Sequence, residues 1–72
     1  MPSNGTIGQY RRLTGVLRMA GHSAMLETGD DRILRLVTPD NLAIFDGASV
    51  IVEGNLTGPE RLQVEWIGRP AA

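Results

Sequence analysis

Apolar and polar residues alternate with a period of two along most of this chain, which is the signature of half-buried β-strands. Leu13, Gly15, Leu17 and Met19 alternate with Arg12, Thr14, Val16 and Arg18, and Gly21-His22 then marks a turn. A second strand over residues 23–28 carries Ala24 and Leu26 on one face and Met25 and Glu27 on the other. Thr28-Gly29-Asp30-Asp31 is hairpin turn chemistry, because glycine tolerates positive φ and aspartate bonds its own backbone. The third strand, Arg32 to Val37, places Leu34 and Leu36 on one side.

The period then changes. Thr38-Pro39-Asp40 offers a capping hydroxyl, a proline suited to a first helical position and an early acid. With Leu42 and Phe45 three apart and Asp46-Gly47 as a stop, it predicts a helix of two turns that must pack on the sheet. A fourth strand, Ser49 to Leu56, puts Val50, Val52 and Leu56 on one face, with Gly54 as a bend or bulge. After the turn Thr57-Gly58-Pro59-Glu60, a fifth strand from Arg61 to Ile67 places Leu62, Val64 and Trp66 in one phase, assigning Trp66 to the core with Phe45. The order is β-β-β-α-β-β. Residues 11–67 form the expected domain, residues 1–10 an arm and residues 68–72 a tail.

A three-strand meander, a short helix and a closing hairpin in this order resemble the OB-fold, a five-stranded Greek-key barrel with a helix between its third and fourth strands. Asp46 to Leu56 is similar to the strand that follows the helix in bacterial OB-fold proteins, with one glycine before it and a second where it bends. Leu13-Thr14-Gly15-Val16-Leu17 and Leu62-Gln63-Val64-Glu65 complete a resemblance, over residues 11–67, to a family of short bacterial OB-like proteins of unknown function. The structural rival is an SH3-like small barrel. The resemblance implies a fold and carries almost no functional content.

Composition narrows the chemistry. Seventy-two residues allow one domain and a small core. With no cysteine, disulfides and thiolate chemistry are excluded, and one histidine supports no histidine metal cluster. Seven arginines, no lysine and eight acids leave a net charge of −1, against a dominant polyanion-binding role. The lysine-free balance matches GC-rich codon usage, with selection for forked guanidinium donors the rival explanation. No apolar run of membrane length and no signal-peptide pattern occurs, so the chain reads as a complete small cytoplasmic protein.

No constellation supports catalysis or a cofactor. His22 falls in a turn, and Ser23 beside it points to the opposite face. Asp30 and Asp31 read as turn residues, Asp40 and Asp46 as residues of the helix ends. Glu53 and Glu65 read as outward strand residues paired with arginine. None of the nine glycines forms a phosphate loop. The chain is expected to be non-enzymatic, with no metal and no cofactor.

Two binding surfaces remain. If the leucines and valines fill the interior, Val16, Met25, Ile33, Val37 and Ile51 face outward on neighbouring strands, with Arg18 and Arg35 among them. That is a candidate face for a protein partner or a second copy, unless bulges turn some of those residues inward. The alternative is an oligonucleotide stripe of Tyr10, Arg11, Arg12, Arg18 and Arg35, with Tyr10 as the one free aromatic.

Overall fold

A computed structural model describes residues 9–70 and is mainly β. Strand β1 runs Tyr10–Ala20, β2 Ser23–Thr28, β3 Ile33–Val37, β4 Ser49–Gly58 and β5 Arg61–Gly68. Residues 1–8 of the expected arm and 71–72 of the tail lie outside the described residues. The carbonyl of Gln9 already accepts the Leu56 amide, at 2.8 Å, and Tyr10 begins β1.

The five strands form one sheet that closes into a ring in the order β1-β2-β3-β5-β4. The first half of β1 pairs with β4 and the second half with β2, and Gly15 takes part in both ladders, opposite Val50 and Thr28. All pairings are antiparallel except β3 with β5, which run parallel through Arg35–Val37 and Arg61–Gln63. Closure leaves one interior, filled by Leu17, Leu26, Leu34, Leu36, Val50, Val52 and Leu62. These are the inward residues of the alternation, and Leu17, Leu26, Val50, Val52 and Leu62 have no accessible surface.

The expected helix between the third and fourth strands is a single 3-10 turn, Ala43–Phe45. The Thr38 hydroxyl accepts the Asp40 amide and the Asn41 side chain accepts the Ala43 amide, two successive i to i+2 turns, and no side chain of the N-cap Leu42 bonds the 3-10 turn. The turn is stitched to β1: the Gly47 amide donates to the Leu17 carbonyl at 2.7 Å, and the Asp46 carboxylate accepts the Met19 amide at 3.0 Å. Leu42 is buried beneath it, and Phe45, half-buried, packs against the core. Gly47, at φ 81°, supplies the left-handed stop.

Trp66 corrects the second expectation. The β4–β5 register shifts between Glu53 and Gly54: Gly54 faces Val64 while Glu53 faces Trp66, so Glu65 is an extra residue. One inserted residue reverses the phase of a strand. Trp66 therefore turns outward and is 50% exposed, and Ile67 packs against the core in its place. The irregularity expected at Gly54 is thus a register shift beside it, with the extra residue on β5.

Candidate contact face

The strand register brings five of the seven expected interface residues together on the outer surface of β1, β2 and β3. Val16, Glu27 and Ile33 lie side by side across the three strands. The next row is Arg18, Met25 and Arg35, extended onto β5 by Arg61. Ile33 exposes 53% of its surface, while Val16 and Met25 are half-buried. Val37 stands further along β3, opposite Gln63. Ile51 is half-buried on β4, opposite Thr14, and is set apart from the β2–β3 surface.

Charge is unevenly satisfied on this face. Arg18 donates from Nε to Oε1 of Glu27 at 3.2 Å, an exposed pair worth a few tenths of a kcal/mol to about 1 kcal/mol. Arg32 donates to the Pro59 carbonyl at 3.3 Å, and Arg35 reaches the Ser23 hydroxyl at 3.5 Å. Arg35 and Arg61 are direct cross-strand neighbours of like charge. Among the described residues neither has a carboxylate within 4 Å. Such a pair is unfavourable by itself. Between these strands and the β4–β5 turn lies an open groove bordered by Met25, Ile33, Arg35, Pro59, Glu60 and Arg61.

The expected oligonucleotide residues do not form one stripe. Tyr10 and Arg12 sit at the far end of β1, and both are engaged by Glu53. The Tyr10 hydroxyl donates to Oε1 at 2.7 Å, and Arg12 Nε lies 3.7 Å from Oε2. Arg11 alternates to the other side of β1 and donates to the Gln9 side chain. Arg18 and Arg35 belong to the distant row described above. Trp66, missing from the expected contact residues, stands next to Glu53 with its indole over Gly68, where a Cβ would lie 2.6 Å from the ring.

Hydrogen bonding to the Glu53 carboxylate pushes the Tyr10 hydroxyl above its ordinary value, with the negative charges of Glu53 and Glu65 acting in the same direction. Losing the phenolic proton would remove the bond and place a third negative charge there. Glu53→Gln is expected to lower the titration midpoint of this single tyrosine toward the ordinary value. Ultraviolet absorbance against pH reads it directly, and an unchanged midpoint would show that Tyr10 does not bond Glu53 in solution.

The remaining titratable candidates are surface groups. The Thr28 hydroxyl donates to Asp30 and holds its carboxyl below the ordinary value, as expected of a turn aspartate. Asp31 takes φ 65° in the same turn. His22 is exposed in the β1–β2 turn. Glu53 has the arginine partner expected of it, whereas Glu65 has none within 4 Å among the described residues. No group of three or more His, Cys, Asp or Glu side chains converges among the described residues, and none of their helices is long and apolar enough to cross a membrane.

The fold defines a class first: a small, mainly β domain built on one five-stranded sheet closed into a ring. Over residues 14–70 the chain matches the model of the family described as protein of unknown function (DUF5818), and it belongs to that family. No curated protein and no solved structure matches it.

Proposed function

We propose that this chain is a non-enzymatic OB-fold module that works in the cytoplasm by protein contact, through the outer face of β1, β2 and β3. Support for the OB arrangement comes from the ring order, the parallel β3–β5 closure and the position of the short turn between β3 and β4. The observation that carries the contact reading is Ile33. It is half-exposed, with Glu27 between it and Val16 in the same row and Met25 on the diagonal, and the arginines around it include two without carboxylate partners among the described residues. Burial of such residues drives association, and arginine with methionine is enriched at contact surfaces.

Sedimentation velocity over a concentration series is the test. The native chain should associate as concentration rises, and Ile33→Glu should remain monomeric. Ile33 faces outward but stands directly opposite Glu27, so the variant sets two carboxylates side by side and should lose about 1 kcal/mol of stability while remaining folded. An Ile33→Glu chain that associates normally, or one that unfolds, overturns the reading.

Oligonucleotide binding is the weaker reading. Single-strand sites interleave aromatic platforms with basic side chains. Here Tyr10 and Trp66 flank Glu53, while Arg35 and Arg61, which have no carboxylate partner among the described residues, lie elsewhere. Titration of Trp66 fluorescence with single strands at low salt should show no saturable change. Saturable binding that weakens with salt would restore this reading.

A further inference from the structure

Two unsatisfied surfaces of opposite character occur on the same strand. Arg61, at the start of β5, opposes Arg35 with no carboxylate partner among the described residues. Near the other end of β5, the bulge turns Trp66 outward next to Glu53 and leaves Glu65 exposed without an arginine. Arg61 and Trp66 are five positions apart along the strand, roughly 16 Å at about 3.3 Å per residue. The two surfaces of one molecule therefore cannot meet each other.

We propose that they meet between molecules: the Glu65–Trp66 edge of one copy seats in the groove beside Arg35 and Arg61 of the next. This rests on the contact reading above and names its partner as a second copy of this chain. The two surfaces are complementary in chemistry. The groove offers Met25 and Ile33 as an apolar floor for the indole, and methionine sulfur packs favourably on aromatic rings. Arg32 lines the groove with Arg35 and Arg61, so three guanidiniums outnumber the carboxylates of Asp31 and Glu60 there and supply the cations that the Glu65 carboxylate and the Trp66 face attract. Seating Glu65 there removes the like-charge opposition of Arg35 and Arg61. Arg12 already forms an ion pair with Glu53, so Glu65 is the carboxylate left for the groove.

The contact joins two different surfaces, so it is heterologous and each added copy presents a fresh groove. Its charged component also makes association stronger at low salt.

Arg61 and Glu65 are both exposed, so reversing either charge leaves the core untouched. In sedimentation velocity, Arg61→Glu and Glu65→Arg should each shift association to about tenfold higher concentration or beyond, because like charges then face across the contact. An equimolar mixture of the two variants should associate again, since every junction between unlike copies regains opposite charges. Trp66→Ser should weaken association as well, with its circular dichroism and melting compared against the native chain. Association that neither charge reversal alters, or two weakened variants whose mixture stays dissociated, overturns the proposal. If Ile33→Glu dissociates the assembly while Glu65→Arg does not, the β1–β2–β3 face remains a contact and only this mode of filling it is wrong. A native chain that stays monomeric at every concentration overturns it outright.

Discussion

Gly54→Ala is expected to lower the thermal midpoint by roughly 12–24 °C, the shift that corresponds to about 3 kcal/mol in a domain of this size. A Cβ at Gly54 would lie 2.0 Å from the Gln63 carbonyl oxygen and 2.9 Å from its carbon. Both atoms belong to backbone held in the β4–β5 ladder, so no flexible side chain can move aside. Relief requires opening the ladder at the bulge, which also sets the phase of Trp66 and Ile67. Gly15→Ala should behave similarly, because its Cβ would lie 2.2 Å from the Glu27 carbonyl oxygen where β1 passes from the β4 ladder to the β2 ladder. Gly29→Ala is the control: its Cβ meets nothing within 4 Å and its φ is not positive. Circular dichroism melts of the three variants test the contrast. A Gly54→Ala chain that melts with the Gly29→Ala chain would mean that β4 and β5 do not approach so closely.

The same two glycines show what the sequence made legible. Alternation survives translation into structure where a ladder is continuous. β1 with β2 and β2 with β3 have uninterrupted registers, so Val16, Met25 and Ile33 face outward as their phase predicts. β4 with β5 does not, and one unpaired residue at Glu65 sent Trp66 the other way. The cue was present in Gly54, but the residue that compensates for a bend lies on the partner strand, and nothing local to Trp66 reports it. The helix failed for a different reason. An i, i+3 pair such as Leu42 and Phe45 suits a turn of 3.0 residues as well as one of 3.6. The chain closes the tighter turn, with the Phe45 amide on the Leu42 carbonyl and the Asp46 amide on the Ala43 carbonyl.

The contact surface divides along the same line. Arg18, Met25 and Arg35 share a row because hairpin-linked strands pair in sequence order, which the turns announce. Arg61 joins that row only because β5 closes the ring against β3 in parallel. That pairing depends on the whole sheet curling, and no spacing in residues 57–63 encodes it. The electrostatic irregularity of the face, two opposed arginines, therefore became visible only with closure.

Leu62→Ala is expected to cost about 3–5 kcal/mol, the upper part of the range for buried leucine truncation. Leu62 has no accessible surface, and it stands opposite both Leu36 across the parallel seam and Leu56 across the antiparallel one. The seam between β3 and β5 spans three residue pairs, supplemented by the Arg35 amide bond to the Glu60 carbonyl at 2.8 Å. A void there leaves strands tied to each other on both sides and unable to collapse into it, the circumstance that makes cavities expensive. A domain of this length has a total stability of roughly 4–11 kcal/mol. The truncation thus removes much of the total, and urea unfolding should show a clear fall in midpoint. Leu42→Ala is the comparison, since Leu42 is also buried but lies beneath a three-residue turn that can settle onto the smaller side chain. It should cost less, about 2–3 kcal/mol. Hydrogen exchange adds a spatial readout: in Leu62→Ala the Arg35 amide should lose protection relative to amides in the β1–β2 hairpin. Equal losses for both leucines, with uniform exchange across the sheet, would show that the parallel seam is no weaker than the rest of the ring.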